Sequence, residues 1–309
     1  MSDHLTRVLA PSVNLRAVAC ITTNTVAEAC RRHQPAPTAA VALGRALTAG
    51  VLLGALLKGR QRLALKFEGS GPLKKIVVQA DAHGGVHGYV AHPDVDLPLR
   101  HGRFDVAGAL GAGVLTVSKD LLLKTPYQGV VHLVSGEIGE DVAYYLTESE
   151  QVPSAVGVTT IPDARGGVMV AGGFLIQSLP PANADAVDAV LQRIQTLPPL
   201  GRIFHDEPSA QGLLERIFHG MDLEVLETAP VAFRCSCSEQ RILQALSTLG
   251  RDELLRLAAD EEPTSIRCDF CGEEYRFSAH QLRELVRQLP QPPQPESGTP
   301  TSRGGHRHR

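Results

Sequence analysis

Two close thiol pairs near the carboxyl end of the 309-residue chain constrain it more than any other feature. Cys235-Ser236-Cys237 is followed, after 30 intervening residues, by Cys268-Asp269-Phe270-Cys271-Gly272. A single Cys-x-x-Cys is weak evidence, but two pairs flanking a helical segment can converge on one tetrahedral ion. Gly272 after the last cysteine lets the backbone wrap the ion without a Cβ clash. Thiolate-only tetrahedral sites favour zinc, with an iron–sulfur centre second. Four cysteine ligands leave no open coordination position, so the expected zinc, one per chain in the reduced protein, is structural rather than catalytic.

The same thiols can oxidise. Cys268 and Cys271, in a turn, lie within bridging distance for a disulfide, whereas Cys235 and Cys237 would close a tighter, strained ring. Disulfides would eject the metal, whose binding free energy of ~10–16 kcal/mol is also folding free energy. A unit of roughly 57 residues rarely supports a core without such a staple, so residues 233–290 should unfold when the thiols are oxidised.

Compartment decides which chemistry applies. Residues 1–11 carry Asp3, His4 and Arg7 and no apolar core of a signal peptide, so a cytoplasmic, reducing location is expected, where permanent disulfides are rare. Residues 38–57 are apolar enough to suggest a membrane span, but Arg45 interrupts them, and Gly44, Gly50 and Gly54 suit close helix packing. A buried helix and no membrane association are expected. Cys20 and Cys30 sit among apolar residues without metal spacing and read as small buried hydrophobes outside the switch.

The chain divides by texture into an α+β fold. Residues 1–180 read as a sheet-based core domain: Leu63, Leu65 and Phe67 keep period-two spacing, as do Ile76, Val78 and Ala80. Further strand-like runs cover 114–118, 129–134 and 142–146, with turns at Gly69-Ser70-Gly71-Pro72, Gly84-Gly85 and Gly166-Gly167. Gly108, Gly111 and Gly113 fit neither a dinucleotide fingerprint nor a phosphate loop and read as a turn. Residues 181–232 read as a metastable helical linker. Val187, Val190, Leu191 and Ile194 mark one amphipathic helix and Leu213, Leu214, Ile217 and Phe218 another, separated by proline breaks. Helices this short persist only when docked. Undocking would expose those eight side chains as an apolar interaction surface. In the zinc-binding redox-switch domain, 233–290, Ile242, Leu243, Leu246 and Leu249 form an apolar face, and Ser278 with Gln281 makes a capping box for a final helix. The Pro-, Gln- and Ser-rich residues 291–309 read as a disordered tail.

Charge excludes some functions. Thirty Lys and Arg against 33 Asp and Glu give a net charge of -3, with no global field for a phosphate backbone. A zinc-stabilised nucleic-acid-binding or translation-associated protein is the alternative, since Arg234, Arg241, Arg251, Arg256, Arg267 and Arg276 lie near the cysteines. The acidic residues Glu239, Asp252, Glu253, Asp260, Glu261, Glu262, Glu273 and Glu274 cancel them. An enzyme in the first domain lacks a nucleophile–base pairing. His83, His87, His92 and His101 read as neighbouring strand and turn residues.

The cysteine pairs after a helical linker resemble the bacterial redox-regulated 33-kilodalton heat-shock chaperone family. The likeness extends through Ala42-Leu43-Gly44-Arg45, Gly69-Ser70-Gly71-Pro72-Leu73, Tyr127-Gln128-Gly129-Val130-Val131, Ser149-Glu150-Gln151-Val152-Pro153-Ser154 and Gly172-Gly173-Phe174-Leu175-Ile176-Gln177-Ser178-Leu179-Pro180, covering about residues 10–290. It implies a holdase without enzymatic activity or ATP dependence, inactive when reduced and zinc-bound. On oxidation Cys235 would pair with Cys237 and Cys268 with Cys271, zinc would leave, and the zinc domain and linker would melt. The exposed surface would then capture unfolding proteins, and the reduced monomer would become an oxidised homodimer.

Overall fold

The computed structural model describes residues 2–163, 166–260 and 262–289, so the tail expected at 291–309 lies outside the described residues. The described residues form two compact units, one of residues 2–236 together with 269–272 and one of residues 237–268 together with 273–289. In chain order the first unit contains β1 (His4–Ala10), β2 (Leu15–Ile21), α1 (Thr23–His33), α2 (Pro37–Gly54), β3 (Arg62–Gly69), β4 (Lys75–Asp81), β5 (Gly85–Val90), α3 (Val106–Leu110), β6 (Gly113–Asp120), β7 (Tyr127–His132), α4 (Gly139–Glu148), β8 (Ser154–Pro162), β9 (Val168–Ser178), α5 (Ala184–Thr196), α6 (Leu200–Asp206), α7 (Ala210–Ile217), β10 (Glu224–Pro230) and β11 (Ala232–Phe233). The second contains α8 (Glu239–Leu246), α9 (Arg251–Leu257), β12 (Thr264–Arg267), β13 (Glu274–Phe277) and α10 (Ala279–Gln288).

Two sheets build the first unit. One has the order β10-β1-β2-β9-β8 and is antiparallel throughout. The other has the order β11-β5-β4-β3-β6-β7, antiparallel except where β11 runs parallel to β5. Leu63, Leu65 and Phe67 pair in register with Ala80, Val78 and Ile76, and all six are buried, as the period-two spacing requires. This second sheet buries one face only, since Ala64, Lys66 and Glu68 on the opposite face of β3 stay partly solvated.

Helix α2 covers most of the apolar segment expected to be a buried helix, and it lies at the centre of the core. Most of it is buried, and its residues cluster with side chains from both sheets. Its glycines explain the fit: a Cβ on Gly44 would lie 2.5 Å from Thr160 Oγ1 of β8, and one on Gly50 would lie 2.6 Å from Val78 Cγ1 of β4. Arg45 pairs with Glu137. Because α2 carries almost no polar face, it packs on both sides.

The first sheet is covered on both faces. Val18, Cys20, Ala171 and Leu175 join the cluster around α2. Ala17, Ala19, Phe174 and Ile176, one residue out of phase, join a separate cluster with α5, α6 and α7. That two-sided burial accounts for the nearly continuous apolar run of β2.

The linker helices lie on this second face. They span 13, 7 and 8 residues, with Asn183 capping α5 and Ser209 capping α7. Val190, Leu213, Leu214, Ile217 and Phe218 are buried, Val187 and Ile194 are partly so, and Leu191 remains 40 % exposed. Glu224–Pro230, inside the segment read as helical, is an edge strand. Nearly all of it is exposed, so its sequence carries no apolar alternation to read. Residues 142–146, expected as a strand, lie within α4. Val142, Tyr145 and Leu146 are buried at helical spacing, and the Asp141 carboxylate accepts the backbone N–H groups of Val134, Ser135, Gly136 and Ile138. Gly111, read as part of a turn between strands, ends helix α3 at a φ of 73°.

The second unit is small. β12 and β13 pair antiparallel from Thr264↔Phe277 to Arg267↔Glu274. Its core is Leu246, Leu254, Ala258, Phe277, Leu282 and Val286, with Ile242 and Leu243 packed beside them. Leu249 is exposed, because α8 ends at Leu246 and a short 3₁₀ turn carries Leu249 outward. The capping box at Ser278 and Gln281 is present, with both reciprocal hydrogen bonds.

Candidate metal centre

The four cysteines singled out by spacing converge. The sulfurs of Cys235, Cys237, Cys268 and Cys271 all lie within 4.8 Å of one another, the one such gathering of three or more ligating side chains among the described residues. A tetrahedral zinc with Zn–S bonds of about 2.3 Å places its sulfurs about 3.8 Å apart, so the cluster is the right size for one ion. Histidine and carboxylate take no part, which makes it an all-thiolate site of the kind that suits zinc.

Local sequence places each sulfur. β11 brings the chain along β5, where Ala232 N donates to Gly84 O at 3.0 Å and Arg234 N to Val86 O at 2.9 Å, and Cys235 follows directly. Cys237 accepts a 3.1 Å hydrogen bond from the Tyr275 hydroxyl, the kind of second-sphere donor that supports thiolate character. Cys268 closes the β12 end of its hairpin by donating its N–H to Glu273 O at 2.9 Å, and Gly272, with a φ of 71°, makes the reversal that a Cβ would hinder. Cys268 and Cys271 are buried, whereas Cys235 and Cys237 are half-buried.

Within the first unit, the turn 269–272 is held by residues that spacing alone did not mark. Arg32 Nη1 donates to Cys271 O at 3.2 Å, and the His33 ring nitrogen lies 3.1 Å from Phe270 O. The Phe270 ring stands edge-on to His87 and Tyr89, at 5.2 Å from each. Glu28 orients Arg32 by accepting its Nε–H at 2.6 Å, and hydrogen bonds from Arg31 and Arg32 pull the Glu28 carboxyl down to about 2. The Arg32 guanidinium also lies over the Phe233 ring, 5.4 Å from its centroid. Nothing in the spacing of Arg32 and His33 ties them to the cysteine pairs.

Cys20 and Cys30 are buried elsewhere. Burial pushes the Cys30 thiol up to about 11, and burial with the nearby Asp3 charge pushes Cys20 higher still. Both are therefore poor nucleophiles. His83, His87, His92 and His101 do not gather into a ligand set among the described residues, and His87 serves as an aromatic wall.

Residues 3–278 match the family described as Hsp33 protein. The 33 kDa chaperonin of Geobacter sulfurreducens is 52% identical over 286 residues, covering 92% of this chain and 95% of its own length. That of Syntrophotalea carbinolica is 45% identical over 287 residues, covering 93% of this chain and 100% of its own. The crystal structure of the 33 kDa chaperonin (heat shock protein 33 homolog) from Thermotoga maritima superposes with a TM-score of 0.87 at 37% identity, covering 93% of this chain and 98% of that one.

Proposed function

Because this chain belongs to the Hsp33 family and is a chaperone of that type, we propose that it is a cytoplasmic, redox-regulated holdase that captures unfolding proteins without ATP and catalyses no reaction. The observation that carries the reading is the convergence of four thiol sulfurs within 4.8 Å of one another. Bound by Cys235, Cys237, Cys268 and Cys271, zinc would supply a closed structural cross-link with no position open to substrate.

Oxidation removes that cross-link. One S–S bond forms between Cys268 and Cys271 and another between Cys235 and Cys237. Each pair of zinc-bound thiolates gives up two electrons to a peroxide, which takes two protons from solvent and leaves as two waters, or as water and an alcohol, while the zinc ion is released. The second unit then has a core of six buried side chains to hold it, too little without a metal. Disorder spreading back from Cys235 meets the two-residue β11 first and the exposed edge strand β10 next. Beyond them lie α7, α6 and α5, none long enough to persist undocked. Release of α5–α7 would uncover Val187, Val190, Ile194, Leu213, Leu214, Ile217 and Phe218, together with Leu191 and the sheet face beneath. Such an area exceeds what soluble monomers present and suits both client capture and pairing with a second copy.

The alternative of nucleic-acid binding gains nothing from the arginines near the cysteines, since Arg256 pairs with Glu253 and Arg276 with Glu274. The test is suppression of aggregation of a thermally unfolding protein by reduced and oxidised chain, without nucleotide. Suppression by the oxidised, zinc-free form alone is expected. Equal activity in both forms, or none in either, refutes the reading.

A further inference from the structure

The four residues Asp269–Gly272 cluster with the first unit, although Cys268 and Glu273 on either side cluster with the second. Four contacts hold them there. Phe270 is seated edge-on between His87 and Tyr89, with interplanar angles of 77° and 89°. Arg32 and His33, at the end of α1, reach the carbonyl oxygens of Cys271 and Phe270. Cys271 is 2% exposed and Cys268 9%, so little of either residue meets solvent. Thiol oxidation needs an approach along the sulfur, and access limits its rate as much as nucleophilicity does.

We infer that Phe270 is a positioning residue for the redox reaction: its seat between His87 and Tyr89, reinforced by Arg32 and His33, sets how often the Cys268–Cys271 pair opens to an oxidant. The folded core thereby governs the reactivity of thiols that belong, by sequence, to the zinc-binding segment. Any stress that loosens the sheet carrying His87 and Tyr89 would raise the oxidation rate without changing a ligand. Aromatic edge-to-face pairs are directional, and removing one ring forfeits both contacts at once.

The inference rests on the metal-bound reading above and is tested on reduced, zinc-loaded full-length chain. The probe is 4,4′-dithiodipyridine, which releases one thiopyridone for each thiol converted to a mixed disulfide, and mass spectrometry assigns the modified cysteines. Phe270→Ala should speed modification of Cys268 and Cys271 about tenfold, with zinc content and Cys30 reactivity unchanged. Tyr89→Ala, on the core side, should speed the same two sulfurs several-fold. The double variant should react no faster than Phe270→Ala, and Phe270→Tyr should restore the slow rate. Wild-type rates in Phe270→Ala, fully multiplicative effects in the double variant, or equal acceleration of all four ligand sulfurs would overturn it. Should Phe270→Ala fail to hold zinc, Tyr89→Ala decides alone, and unchanged rates at Cys268 and Cys271 refute the seat. A wild-type chain that takes up no zinc fails the functional reading, whereas a zinc-loaded chain whose thiol rates ignore Phe270 and Tyr89 fails only this one.

Discussion

Ile217→Asp should separate linker docking from zinc chemistry. Ile217 is fully buried in the cluster formed by the outer face of the first sheet with α5–α7. Its loss removes roughly 2–3 kcal/mol of apolar burial. An aspartate there must be neutral to stay buried. At pH 7, about three units above its ordinary value, neutralisation costs about 4 kcal/mol at 1.36 kcal/mol per unit. The combined penalty of about 6 kcal/mol is comparable with the whole stability of an ordinary domain. The cluster around α2 is a separate set of side chains, so the sheets should survive while α7 and its neighbours detach. The reduced protein should therefore keep its zinc yet suppress client aggregation, measured by light scattering. Hydrogen exchange should be fast across 184–217 and slow across α2. Ile217→Val, costing about 1 kcal/mol, should stay inactive. A zinc-loaded Ile217→Asp protein with an exposed linker and no chaperone activity would refute the assignment of clients to this surface.

Three further outcomes follow from the same contacts. A methyl group at position 172 would lie 2.6 Å from Cys20 O and 2.8 Å from the Phe204 ring of α6. Gly172→Ala should therefore cost about 1–3 kcal/mol, seen as faster exchange in α6 and a lower oxidant dose for activation. Replacing Cys268 and Cys271 by Ser should abolish zinc binding, measured by elemental analysis, and leave a chain partly active without oxidant. Replacing Cys20 and Cys30 by Ala should leave redox activation intact. Because burial raises the Cys30 pKa from 9.0 to about 11, its neutral thiol favours the folded state below pH 9, and that contribution fades as pH rises through 11. The double variant should lose less stability over that window, as measured by denaturant titration.

Much of this architecture was legible because its signals are local. Period-two burial in β3 and β4, the capping box at Ser278, the glycines of α2 and the amphipathic stripes of α5 and α7 each follow from neighbours a few residues apart. The cluster of four cysteines was legible for the same reason: paired thiols announce themselves by spacing. Long-range signals were not. Residues 142–146 carry β-branched and aromatic side chains, and only the cap at Asp141 and burial at helical spacing reveal a helix. β10 is a strand because β1 offers an open edge, not because of its own composition. Arg32 meets Cys271 across 239 residues of sequence and His33 meets Phe270 across 237, separations no periodicity encodes.

The central claim is that oxidation activates by unfolding rather than by assembling a site, and amide hydrogen exchange on reduced and fully oxidised protein tests it most directly. Protection should collapse across 237–289 and across α5–α7 on oxidation, while α2 and β3–β6 keep their slow exchange. Unchanged protection from 184 to 289 in an oxidised, zinc-free protein that suppresses aggregation would contradict the account.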